Sequence, residues 1–415
     1  MKILNILKSY NFNKYFLFIF LICVLFPFTQ LKYIWGFSGY SKVANILLLF
    51  LSLFTFFYWI KNDFINKKIW YKYMFPCFLI FISYLINISI SVYSDYNNIS
   101  LVGLLLPMAI NLSIPYFYHR NMLNVSSIWS FSYKLILTIV FLGLLDYIYI
   151  FLIGFNGFPT ETASGLFITG YFSIYHDLGL GIPYFRFYSC FGEPGDLAMW
   201  LIPFILYALH YKKYIGLIIL FIGFILSFSL GGIISLGLAI FIRILLLKKM
   251  KSIVVLILFF GVLSFSGFDS FLNDSYIEKG KSATVREDNF TTGISNALTI
   301  IFTKPFGLEL SSKTSDNQNQ NLYSGSNFSP TTYLQRGGFL AFFGFLFLIF
   351  FSIHDSFKIL LNKHSSNLSV IIAITLICYF PYIFQRMTLW DSVMFSWLFL
   401  PVLFNYNRKI YFKGD

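Results

Sequence analysis

Between Lys212-Lys213 and Lys248-Lys249 lies an almost uninterrupted apolar run, YIGLIILFIGFILSFSLGGIISLGLAIFIRILLL (214–247), 34 residues long. About 20 apolar residues suffice to cross a bilayer as a helix, so this run is too long for one crossing. Lysines flank both ends, and Lys and Arg gather on the cytoplasmic side of membrane proteins. Both ends then belong on one side, and the chain has to turn back inside the run. Ser229-Leu230-Gly231-Gly232 is the expected turn.

The rest of the chain has the same character. Of its 415 residues, 58% are hydrophobic, 22% aromatic and only 11% charged. Soluble domains carry about 25% charged residues, so this inventory cannot build a water-facing surface. Soluble enzymes, nucleic-acid binders and disordered scaffolds are excluded. In lipid only helices and closed barrels satisfy their backbone groups, and the apolar runs are far too long for barrel strands. The expected fold class is all-α: one polytopic integral membrane domain over 1–415 with about 12 transmembrane helices. They fall near 15–35, 43–60, 73–93, 100–118, 131–153, 196–211, 214–229, 230–247, 252–268, 333–353, 368–385 and 390–405. The first is expected to be retained, because no small-residue cleavage site follows it.

Charge distribution orients this plan. With the N-terminus inside, cytoplasmic segments hold 20 of the 30 Lys and Arg and three acids, Asp63, Asp355 and Asp415. Outer segments hold 10 basic residues and 13 acids, and Asp146 falls within the fifth span. Both termini are therefore expected in the cytoplasm. Two long loops then face outward, 154–195 and 269–332, and long loops over a rigid scaffold commonly carry function. Within the second, Asn289 to Phe306 is mostly apolar and is expected to form a helix at the membrane surface. Cys23, Cys77 and Cys378 lie in apolar runs and Cys190 in a polar loop, a scatter that suits neither a disulfide framework nor a metal site. No repeat or inverted symmetry is visible, and the spans hold few charges, both unlike a transporter of ions or polar solutes.

Candidate chemistry gathers in the outer loops. Arg186-Phe-Tyr-Ser-Cys-Phe-Gly192-Glu193-Pro194-Gly195-Asp196 leads into the sixth span, with Pro194 suited to a first helical turn. Glu193 reads either as a helix-start residue or as a base. Arg186 has no local structural need to be arginine, and a guanidinium at the lipid–water boundary suits bidentate phosphate binding. Arg286 stands ahead of the apolar segment that ends at Lys304-Pro305-Phe306-Gly307. Ser329-Pro-Thr-Thr-Tyr-Leu-Gln-Arg336-Gly337-Gly338 enters the tenth span, where Arg336 reads either as a third phosphate contact or as a snorkelling boundary residue. His176 and Asp177 are further candidates for a base, and Tyr171, Tyr184 and Tyr188 are aromatic residues of the same loop that could stack on a ligand ring.

These stretches resemble the bacterial O-antigen polymerases (Wzy-type), within the wider set of O-antigen ligases and polymerases. The likeness rests on Arg186…Gly192-Glu193-Pro194, Ser227-Phe-Ser-Leu-Gly231-Gly232, Arg286 with Pro305-Phe-Gly307, and Asn327…Gly337-Gly338, and covers roughly Arg186 to Gly344. Ligase relatives usually carry a histidine within what is here Asn327–Gly337, and this chain has none; where some polymerases have a loop glycine, it has Leu197 and Ala297. The resemblance implies glycosyl transfer at the periplasmic face between undecaprenyl-pyrophosphate-linked oligosaccharide repeat units. It implies no metal or cofactor, and it implies a polysaccharide chain-length regulator as partner beside the lipid bilayer. On this reading Arg186 and Arg286 hold the pyrophosphate and Glu193 is the base, while Arg336, His176, Asp177 and Tyr188 contact substrate. The alternatives are a ligase of the same superfamily and a lipid-linked oligosaccharide flippase.

Overall fold

The computed structural model describes residues 38–62, 70–91, 99–119, 125–151, 158–162, 165–177, 185–191, 194–227, 229–246, 291–308, 329–385 and 395–408. The helices among them are α1 (Ser38–Asn62), α2 (Phe75–Ser91, preceded by a π turn Trp70–Met74), α3 (Ile99–His119), α4 (Val125–Phe151), α5 (Pro194–His210), α6 (Tyr214–Leu226) and α7 (Leu230–Leu246). They continue as α8 (291–303), α9 (Ser329–Leu361), α10 (Asn367–Gln385) and α11 (Leu400–Arg408, after a π turn Phe395–Phe399). Ten of the twelve expected spans coincide with an apolar helix, and the other two, 15–35 and 252–268, lie outside the described residues. Among the described residues three helical stretches are long and apolar enough to cross a membrane: Trp70–Ile90, Val125–Ile150 and Pro330–Leu361.

The all-α expectation needs one amendment. The segment expected as a loop over 154–195 carries a small antiparallel sheet of β1 (Phe158–Thr162), β2 (Gly165–Thr169), β3 (Ile174–Asp177) and β4 (Phe185–Phe187), in the order β1-β2-β3-β4. Hairpin pairing satisfies the backbone of a segment too short and too polar for a further helix.

The run 214–247 does turn back. α6 ends at Leu226 and α7 begins at Leu230. A Cβ on Gly232 would lie 2.6 Å from that of Ala198 near the start of α5, and Arg243 lies within electrostatic reach of His210 at its end. So α7 runs alongside α5 in the same direction. α6 runs against α5, with Gly223 close to Leu201, and presses on α4 through Gly216 at Tyr133 and Gly223 at Val140. Small residues let membrane helices approach this closely.

Helices α2 and α9 pack antiparallel, and polar bonds secure the pair at both ends. At one end the Asn87 amide meets the Arg336 carbonyl. At the other, Asp355 is fully buried and takes the Lys72 ammonium as ion partner, a hydrogen bond from the Tyr73 hydroxyl (2.7 Å) and the His354 ring at 3.3 Å. A buried carboxylate is tolerable only when compensated in this way. Elsewhere two buried rings direct their polar tips to backbone carbonyls: Trp129 donates to Leu398 (3.1 Å) and Tyr379 to Met199.

The expected helix within Asn289 to Phe306 is present as α8. It lies on the start of α9, burying Ile300 with Leu308 and Leu334, and Thr331 donates to the Gly293 carbonyl (2.8 Å). Its other face exposes Ile294, Leu298 and Phe302, and α1 exposes Leu47, Phe50, Phe54 and Phe57 in the same manner. Such apolar stripes are compatible with contact to lipid.

Removing one partner of a buried ion pair costs about 3–5 kcal/mol, whereas replacing both by apolar residues is near neutral. Lys72→Met should therefore lower the thermal midpoint of the detergent-solubilised protein sharply. The double variant Lys72→Met/Asp355→Leu should recover most of the loss.

Candidate functional site

Two places in the fold gather the residues singled out by sequence. The first is the strand pair β3–β4. Its register sets His176 opposite Arg186, Asp177 opposite Phe185 and Tyr175 opposite Phe187. Side chains alternate along a strand, so positions 176 and 186 share one face of the ribbon, while 177 belongs with 185 and 187 on the other. Phe187 is fully buried, edge-on to Tyr147 and beside Gly143 on α4 and Gly223 on α6. That contact seats Phe187 of β4 against the helices. Of the two second-choice bases, His176 is the one placed with Arg186.

Beyond β4 the chain dives into the helices. Phe191 donates its N–H to the Tyr188 carbonyl (3.1 Å), Ser189 adopts φ of 50°, and α5 starts at Pro194 as its ring geometry favours. Tyr188 and Cys190 are buried. Tyr188 is thus covered rather than offered to a sugar, whereas Tyr171, on the β2–β3 turn, is 52% exposed. Cys190 is no polar-loop thiol: burial pushes its pKa up to about 12, so it is neutral and unreactive near pH 7. Glu193, Arg286 and Tyr184 lie outside the described residues.

The second place is a break in α9. Gly338 has φ 65° and ψ −151°, outside helical space and open only to glycine. A break strips the preceding carbonyls of their helical donors, and here each finds another. Leu308 N–H bonds the Gln335 carbonyl (2.7 Å), Asn87 Nδ2 the Arg336 carbonyl (2.7 Å) and Ser83 Oγ the Gly337 carbonyl. Asn87 Nδ2 also reaches the Leu308 carbonyl (3.1 Å), and Phe339 N–H donates to the Pro305 carbonyl (2.9 Å). The Lys304-Pro305-Phe306-Gly307 turn is therefore seated directly in the Gly337-Gly338 break. Gly307, with φ 97°, has no room for a side chain: a Cβ would lie 2.8 Å from the Gln335 oxygen and 2.9 Å from Asn87.

Arg336 sits in the last turn before this break, half-buried and without an ion-pair partner among the described residues. A cation there is favoured by the carbonyl end of the helical segment and stands close to the turn that carries Lys304. Sequence reasoning missed Ser83 and Asn87. The signal was present: two polar residues four apart, on one face of a mostly apolar helix. Among the described residues no three His, Cys, Asp or Glu side chains converge as a metal site would require.

In Gly338→Ala the new Cβ would meet the Pro305 oxygen and lie 2.6 Å from Gly307 N. Asn87→Leu would take the amide donor from the buried Leu308 carbonyl and the part-buried Arg336 carbonyl, at about 1–3 kcal/mol for the buried one. Both variants should unfold at clearly lower temperature, whereas Gly237→Ala, where a Cβ meets nothing within 4 Å, should be neutral or mildly stabilising. No protein-family model matches the chain, and no curated protein is significantly similar to it in sequence.

Proposed function

We propose that the protein is a polymerase of lipid-linked oligosaccharide repeat units, of the O-antigen type. It crosses the bacterial inner membrane about twelve times with both termini in the cytoplasm, and it works at the periplasmic face. The reading is carried by one observation above the rest. Two of the sequence stretches behind the family likeness, Pro305-Phe-Gly307 and Asn327…Gly337-Gly338, are held together by backbone bonds between residues more than 25 apart in sequence, Leu308 N–H to the Gln335 carbonyl and Phe339 N–H to the Pro305 carbonyl. Irregular backbone within an apolar helix is tolerated where it lines a working cavity or is buried in protein.

In the proposed reaction a sugar hydroxyl of one lipid-linked repeat unit attacks the anomeric carbon of a growing glycan held on undecaprenyl pyrophosphate. The new C–O glycosidic bond forms as the bond from that carbon to the diphosphate oxygen breaks, and undecaprenyl pyrophosphate departs with the electron pair. Arg186 and Arg286 neutralise the charge growing on the leaving diphosphate, with Arg336 as a third cation. Glu193 takes the hydroxyl proton, with His176, across the ribbon from Arg186, as second choice. The step balances without a metal or redox partner.

Arg186→Ala and Arg286→Ala should each abolish long glycan chains while the protein stays in the membrane. Electrophoresis of extracted lipopolysaccharide reads this out, and normal ladders in both variants remove the diphosphate clamp. Glu193→Gln keeps size and helix-start bonding but not basicity, so it should stop polymerisation; a wild-type rate returns Glu193 to a helix-start role. Deletion separates the alternatives. Loss of a polymerase leaves single repeat units on the lipid core, loss of a ligase leaves none there, and loss of a flippase strands repeat units inside.

A further inference from the structure

Asp146 is buried near the end of α4 that leads into the sheet. One carboxylate oxygen, Oδ2, accepts the Phe172 N–H (2.5 Å) and the Ser173 hydroxyl (3.1 Å), both in the turn between β2 and β3. The turn is closed on itself by Gly170 N–H donating to the Ser173 carbonyl (2.8 Å). Gly170 packs so tightly that a Cβ there would stand 2.5 Å from the same oxygen. Three residues past Ser173 the chain reaches His176, opposite Arg186. The same face of α4 holds the far strand: Gly143 and Tyr147 receive Phe187, and the Ile139 carbonyl accepts from Ser189 (3.4 Å).

We propose that Asp146 is a positioning residue: by accepting two hydrogen bonds from the β2–β3 turn it docks the sheet on α4, and so fixes the ribbon that carries His176 and Arg186. Its carboxylate touches no substrate and moves no proton. The consequence for glycan synthesis rests on the polymerase reading above; the docking itself does not.

A double-mutant cycle tests it on the purified full-length protein, with limited proteolysis within 158–187 followed by mass spectrometry. Asp146→Ala should speed cleavage there about tenfold, the equivalent of one or two net hydrogen bonds. Asp146→Asn keeps an acceptor oxygen and should stay close to wild type. Gly170→Ala should open the sheet as Asp146→Ala does, and should add little in the Asp146→Ala background, where the carboxylate it collides with is gone. If Asp146→Ala does not accumulate, Asp146→Ser takes its place. Unchanged cleavage in the Ala or Ser variant overturns the proposal, as does an Asn variant that behaves like Ala, or additive effects of the two substitutions. Lipopolysaccharide ladders run in parallel should shorten with Ala and recover with Asn. Faster cleavage with an unaltered ladder supports the docking role and counts against the polymerase reading instead.

Discussion

A helix that stops being a helix in the middle of an apolar environment must hand its orphaned carbonyls to other donors, and the structure around α9 is organised by that demand. At Gly337-Gly338 the exposed acceptors are Gln335, Arg336 and Gly337, and the donors come from two separate parts of the chain, α2 and the 304–308 turn. Each of these bonds is worth about 1 kcal/mol net when made, but leaving a buried carbonyl bare costs up to about 3 kcal/mol. The break thus recruits Ser83 and Asn87 to one face of α2 and draws the end of α8 against α9. Glycine is required twice, at 307 and 338, because the backbone there takes positive φ and the neighbouring segments leave no space for a Cβ.

The sheet obeys a second constraint. Its strands are too short to stand alone, and two- to four-stranded ribbons need an apolar surface to hold them. Here that surface is one face of α4, where Gly143 makes room for Phe187 and Asp146 bonds the β2–β3 turn. Both devices lie at the end of the helix where the chain leaves it, and they convert a flexible-looking connection into a platform with a defined register. The Lys72–Asp355 pair does a different job at the opposite end of the α2–α9 pair. There a buried charge is held by partners from both helices, which sets how far one can slide along the other.

Much of this was legible in the amino-acid order. Apolar runs of span length, separated by Lys and Arg, marked ten helix positions that the described residues reproduce, including the turn between α6 and α7. The apolar stretch ahead of Lys304-Pro305-Phe306-Gly307 was readable as a helix, and Pro194 as the first residue of α5. The sheet was not readable, because its strands run three to five residues and their placement depends on contacts with a helix 26 to 50 residues earlier in the chain. Nor was the role of Asp355, which looked like a cytoplasmic loop acid and turned out to be fully buried. Asp146 stood out as a charge within a span, but nothing near it in sequence named its partners.

Composition and charge placement alone determined that this chain is a bundle of apolar helices, since transfer of side chains and peptide groups into lipid is a local property of each segment. What only the tertiary structure decided is which distant segments satisfy one another's polar groups: the Ser83 hydroxyl and the Asn87 amide on the broken helix, the β2–β3 turn on Asp146. Hydrogen bonds in an apolar medium are strong, short-ranged and indifferent to sequence separation, so their partners are chosen by packing.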